Sequence, residues 1–211
     1  MSTTLSEILI AVNAYTDLEA SEPTGTELTT RIEFAKQAVR EWSKFAQWPE
    51  LSRTYVIDPS GSASISLPTD FTEFEVAPQQ LSGGLWIEYP EIREKDKYGK
   101  ASDDRYCYLL GDTSAGFTAV FNSLEASATL SITYQAQPSL MASLSSTCVV
   151  PDPEFVKTKV ISYVLQSRSD DRFPTVNTEA NRLLSNMVGR SQGAPKGGIN
   201  RMPHNSTFRL E

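Results

Sequence analysis

The chain has 211 residues, 39% hydrophobic and 21% charged, enough for a compact core and outside the composition of a disordered polymer. No run approaches the roughly 18 apolar residues of a membrane-spanning helix. The net charge of −7 argues against a general nucleic-acid binder, because that function depends on Lys and Arg neutralising phosphates.

Residues 1–15 hold an apolar patch with no basic residue ahead of it and no small-residue cleavage pattern, which predicts no signal peptide. Leu5, Ile8, Leu9, Val12 and Tyr15 recur at helical spacing, and Thr4 or Ser6 can cap a first helix over 3–19. A short polar link leads to a second helix over 27–48. Its apolar residues Leu28, Ile32, Ala35, Val39, Trp42 and Ala46 are spaced by fours and threes, widened by Phe34, Ala38 and Phe45. Pro49 ends that helix. The two helices are expected to form a hairpin, since neither can bury its stripe alone.

After Pro49 the period changes to two. Tyr55 and Ile57, Ile65 and Leu67, Phe74 and Val76, then Leu85, Ile87 and Tyr89 alternate with polar neighbours. Tyr106, Tyr108 and Leu110, then Phe117, Ala119 and Phe121, then Leu130, Ile132 and Tyr134 continue the pattern. Turn residues separate these runs, among them Asp58-Pro59-Ser60-Gly61 and Ser82-Gly83-Gly84. Six or seven short antiparallel strands are expected, making a small sandwich or barrel. Trp86 is out of phase with Leu85 and Ile87, which places it on the opposite face, at an interface.

Helix returns with Asp152 as cap and Pro153 at the first helical position. Val156, Val160, Ile161, Val164 and Leu165 form one stripe. Arg172-Phe173-Pro174 interrupts it, and Val176, Ala180, Leu183, Leu184, Met187 and Val188 resume it. The predicted architecture is therefore α+β: N-terminal helices (1–50) and C-terminal helices (151–188) forming one helical bundle, with an antiparallel β module (51–150) inserted between them. Residues 189–211 have four glycines, two prolines and no sustained period, and are expected to form an extended C-terminal arm. From Gly189 onward Arg190, Lys196, Arg201 and Arg209 face only Glu211, so this end carries +3 and residues 1–188 carry −10.

Nothing in the chain calls for catalysis. GxSxG, a phosphate-binding glycine loop and HExxH are absent, and the single histidine, His204, lies in the glycine-rich end. Asp103-Asp104 and Asp170-Asp171 fall near turns, where solvated acids outweigh a weak calcium site or an acid-base pair. Cys107 and Cys148 are too few for a disulfide framework and read as small buried or half-buried side chains in a reducing compartment. No cofactor or metal is expected. The aromatics Trp42, Trp48, Tyr55, Tyr89, Tyr106 and Tyr108 offer a sugar-binding platform as an alternative, but most fall in phase with the buried stripe of their own element.

The order of parts carries a resemblance. Residues 39–51 (VREWSKFAQWPEL), Leu67-Pro68-Thr69-Asp70-Phe71, Tyr134-Gln135-Ala136-Gln137-Pro138 with Leu140, and Val150-Pro151-Asp152-Pro153-Glu154-Phe155 together resemble tailed-bacteriophage head-to-tail adaptor (connector) proteins, over most of residues 1–190. The resemblance implies a non-enzymatic virion protein of the neck, assembled in the host cytoplasm. It implies a ring of commonly twelve copies that joins the portal protein to a tail or nozzle protein and passes genome DNA through its lumen without specific binding. It also implies that the C-terminal arm reaches along the portal, with Arg190, Lys196, Arg201, Phe208 and Arg209 as contacts and no membrane involved. A head-completion or tail-completion ring of the same virion is the nearest alternative. A carbohydrate-binding module stands further off, as does a hydrolase dependent on Asp103 and Asp104.

Overall fold

The structure, a computed structural model, describes residues 3–59, 61–125 and 128–191. They divide into two compact units, one drawn from residues up to Trp42 and from Leu140 onward, the other spanning Ser43–Ser139. The first unit contains α1 (Leu5–Thr16), most of α2 (Gly25–Phe45), α3 (Pro153–Ser167) and α4 (Phe173–Ser191). The second contains β1 (Ser52–Ile57), β2 (Ser64–Ser66), β3 (Phe71–Phe74), β4 (Gln79–Ser82), β5 (Leu85–Glu88), β6 (Cys107–Asp112), β7 (Gly116–Phe121) and β8 (Leu130–Ala136).

In the helical unit the ends are set by local chemistry. Thr4 accepts from the Glu7 amide while the Glu7 carboxylate accepts from the Thr4 amide at 2.7 Å, a capping box that satisfies two otherwise orphaned donors. Asp152 caps α3 through the Glu154 amide at 3.1 Å, with Pro153 in the first turn. Helix α3 is buried on nearly all sides, from Phe155 and Val156 to Val164 and Leu165, and packs against both α1 and α4. Lys159, itself buried, reaches Glu41 of α2 at 3.0 Å and Asn177 of α4 at 3.1 Å, and the Tyr163 hydroxyl donates to the same Glu41 carboxylate. Burial and that hydrogen bond push the Tyr163 phenol far above its ordinary pKa, so it stays a donor.

Helix α2 buries Ala35, Ala38, Val39 and Trp42, as its spacing predicts, but the stripe also holds Arg31, while Phe45 is exposed. The Arg31 guanidinium donates to Asn13 Oδ1 at 2.8 Å and to Asp17 Oδ2 at 2.6 Å, and pairs with Glu27 one turn earlier. Arg168, at the end of α3, meets the same two acids, with Asp17 Oδ1 at 2.6 Å and Glu27 Oε1 at 3.2 Å. Three helices are therefore joined by an alternating set of two arginines and two carboxylates.

The β unit is expected to be an antiparallel sandwich or barrel, and its sheets are antiparallel. Of the two alternatives, the barrel is not what forms among the described residues; the strands form a five-stranded antiparallel sheet, ordered β1-β8-β4-β5 with β3 also on β8, and a three-stranded sheet, ordered β2-β7-β6. One hydrophobic cluster draws on both, including Ile65, Ala119 and Phe121 from the smaller sheet and Phe71, Leu130, Ile132 and Tyr134 from the larger. Strand β4, Gln79-Gln80-Leu81-Ser82, carries no apolar alternation that marks it in the sequence, because its inward residue is Gln80 and its apolar Leu81 faces out. The phase of β6 is also reversed: Cys107 is fully buried and Leu109 packs on the cluster, whereas Leu110 is exposed. Val76 lies beyond the end of β3 and is exposed rather than buried.

Candidate functional site

Of the five residues assigned to partner contact, only Arg190 is among the described residues; it is exposed in the last turn of α4. That helix runs to Ser191, so Gly189 and Arg190 belong to it rather than to the segment beyond. Lys196, Arg201, Phe208 and Arg209 lie outside the described residues, as does His204.

The groups with chemical potential elsewhere serve the fold. Asp104 accepts from the Ala101 amide at 3.0 Å, and Asn122 donates to the carbonyls of Ser102 and Asp104, which makes the Asp103-Asp104 pair part of an exposed turn. Asp170 accepts from the Arg172 side chain at 2.8 and 3.0 Å and from its amide at 2.9 Å; these bonds lower the Asp170 carboxyl to about 2. An acid so strongly held as carboxylate on an exposed turn is a poor proton donor near neutral pH. Among the described residues no group of three or more His, Cys, Asp or Glu is placed to hold a metal ion. Burial raises the Cys107 thiol to about 12 and pushes the half-buried Cys148 up as well, so neither is a ready nucleophile. Both are unpaired with any other cysteine.

The Asp17 cluster has a pH consequence. A hydrogen bond from Arg168, with further bonds from Thr16 and Arg31, holds the Asp17 carboxyl well below the usual carboxylate range against the opposing effect of burial. Its folded pKa lies below the unfolded one, so the carboxylate stabilises the fold above the ordinary aspartate value of about 3.9 and that contribution is lost as pH falls beneath it. Urea midpoints are expected to drop between about pH 5 and pH 2, and Asp17→Asn is expected to flatten that drop. An equally steep drop in the variant would assign the acid sensitivity to other groups.

Three of the aromatics offered for a platform are withdrawn into the core. Trp42, Trp48 and Tyr89 are fully buried. Trp86 alone of the tryptophans is exposed, at 55%, on the face that its phase predicts. It stands opposite Leu81 in the β4–β5 hairpin, close to Leu85, which is 72% exposed. Their exposure places an apolar edge at the end of the larger sheet.

None of the described helices is long and apolar enough to cross a membrane. No curated protein matches the chain. The family model described as SU10 adaptor protein matches residues 3–193, which spans both structural units and agrees with the resemblance carried by the sequence motifs. On that match the chain belongs to the SU10 adaptor protein family, a family of bacteriophage head-to-tail adaptors, and is a structural component of the virion.

Proposed function

We propose that the chain is the subunit of a ring between portal and tail, in the twelve copies common to such adaptors, through which the genome passes. The family match over residues 3–193 carries this reading. The charge distribution supports it: residues 1–188 carry −10, so a lumen lined by this body repels DNA and lets it slide without sticking. The basic end supplies the portal contact. Arg190, exposed at the end of α4, starts it, and Lys196, Arg201, Phe208 and Arg209 extend it, with Phe208 as an apolar anchor between charges. Many weak contacts in one ring act together, so no single arm requires high affinity. Assembly takes place in the host cytoplasm before the tail is added.

Native mass spectrometry tests this with full-length protein and a version ending at Ser191, each alone and mixed with the portal ring of the same virus. A defined multiple bound to the portal by the full-length protein, and binding at least about tenfold weaker for the shortened one, is the expected result. Equal binding by both would move the portal contact into residues 1–191. Failure of both to bind the portal, with binding to a tail component instead, would identify a completion ring at a lower layer.

A further inference from the structure

The larger sheet ends in two edges that complement each other. Its strands run β1-β8-β4-β5 with every pair antiparallel, so the two outer strands point in opposite senses. Among the described residues neither β1 nor β5 pairs with a further strand on its outer side. If β5 of one copy is laid against β1 of a second copy in the same orientation, the new pair is again antiparallel, the more stable ladder.

The backbone phase fits this join. The Tyr89 amide donates to Pro78 at 2.8 Å, on the side where Leu85 and Ile87 face β4, so the peptide groups of Trp86 and Glu88 turn outward. On the other edge, the amides of Leu81 and Glu75 donate to the Thr129 and Thr133 carbonyls at 2.9 and 3.0 Å. Those bonds point Thr129 and Thr133 away from β1, leaving Leu130, Ile132 and Tyr134 to bond Ile57, Tyr55 and Arg53. The peptide groups of Thr54 and Val56 therefore turn outward. Setting Trp86 opposite Val56 places Glu88 opposite Thr54, and on the inner face Leu85 opposite Ile57 and Ile87 opposite Tyr55.

The side chains fit as well. Edge strands of monomers are ordinarily blunted by lysine, proline or a bulge. Strand β5 has none of these and reads Leu85-Trp86-Ile87-Glu88. Val56 on β1 is 59% exposed and lies on the same outer face as Leu81 and Trp86, so the join makes one apolar row across two subunits.

We infer that β5 of each subunit pairs with β1 of the next copy, Trp86 opposite Val56, so that neighbours share one continuous antiparallel sheet. The contact uses two different surfaces, which is the condition for a ring rather than a closed dimer. It rests on the ring reading above and supplies its subunit contact.

Cysteines at the two positions test it. Opposed residues of a hydrogen-bonded pair lie about 5.5 Å apart between Cα atoms, within disulfide reach. Val56→Cys with Trp86→Cys, in a Cys148→Ser background that leaves only buried Cys107, is expected to give a ladder of covalent multiples on oxidation, and neither single variant is expected to give any. Trp86→Pro deletes the outward amide and the exposed indole without removing a ladder bond to β4, and is expected to raise the protein concentration needed for assembly by about tenfold or more while the monomer still melts as a folded chain. A ring in native mass spectrometry without a ladder from the double variant overturns this contact and leaves the ring reading standing. Covalent dimers from Trp86→Cys alone would show β5 paired with β5 and overturn it too. A chain that stays monomeric, alone and with the portal, removes both readings.

Discussion

Arg31→Met is expected to lower the stability of the chain by about 2–4 kcal/mol. Removing one member of a buried ion pair typically costs about 3–5 kcal/mol, because the partner charges keep their desolvation and lose their compensation. The lower range applies here because Asp17 and Glu27 reach solvent, with side chains 30% and 47% exposed, whereas Arg31 is 1% exposed. Asn13 adds to the loss. Its side-chain oxygen accepts from Arg31 and its Nδ2 donates to the Ser21 carbonyl at 3.0 Å, so the same amide ties the link between α1 and α2 to the helix stripe. Arg168→Met removes the exposed arginine of the set and is expected to cost under about 1 kcal/mol. Urea denaturation followed by tryptophan fluorescence reads both, as midpoint shifts at unchanged slope. Comparable shifts for the two variants would mean that burial of Arg31 adds nothing, and that the cluster acts through exposed pairing alone.

Arg31 also marks where the sequence is silent. A charge at a helix position is ordinarily solvated, and α2 reads as amphipathic with or without residue 31 in its stripe. Its burial is decided by Asn13, Asp17 and Arg168, which are distant in sequence and meet only after three helices pack. The helix starts were legible because they are local: Thr4 with Glu7, and Asp152 with Pro153, carry their own capping chemistry within four residues. The turn at Gly83-Gly84 was legible for the same reason, since both glycines adopt positive φ, +56° and +83°, although the strand β4 that leads into it was not.

The strands were legible where apolar and polar residues alternate cleanly and misread where they do not. In β6, Tyr106 to Leu110 offers apolar residues at every position, so either phase satisfies a period of two. Register with Phe121 and Ala119 of β7 selects Cys107 and Leu109 as the inward set. Trp86 fell on its predicted face, whereas Leu85, in phase with the core, is exposed because it closes the turn at the sheet's outer edge. The motif order carried the family. The contacts assigned beyond Arg190 lie in residues whose composition carries charge and apolar anchors but no period from which a geometry follows.

The second large effect is expected at Gln80, the residue that hid β4. Gln80→Leu is expected to cost about 3 kcal/mol, since each buried polar group left without a partner costs about 1–3 kcal/mol and some of those exposed here regain water. The amide is fully buried and makes four bonds: Nε2 donates to the carbonyls of Glu125 and Ala128 at 2.7 and 3.0 Å, and Oε1 accepts from the Tyr89 hydroxyl at 2.9 Å and the Glu125 amide at 3.0 Å. It thereby holds the backbone groups of Glu125 and Ala128 much as a ladder strand would. Tyr89→Phe removes one of those bonds and is expected to cost about 1 kcal/mol, so a Gln80→Leu loss no larger than that would reduce the network to a single contact. Gln80→Glu is the sharper variant: it sets a carboxylate oxygen against two carbonyls and is expected to be worse than leucine at neutral pH and to recover as the acid protonates. Because Gln80 pairs with Ile87, loosening it also loosens the edge that β5 presents. Thermal melting of the isolated chain and assembly of the ring should therefore fall together in these variants, whereas the edge variant Trp86→Pro should lose assembly alone.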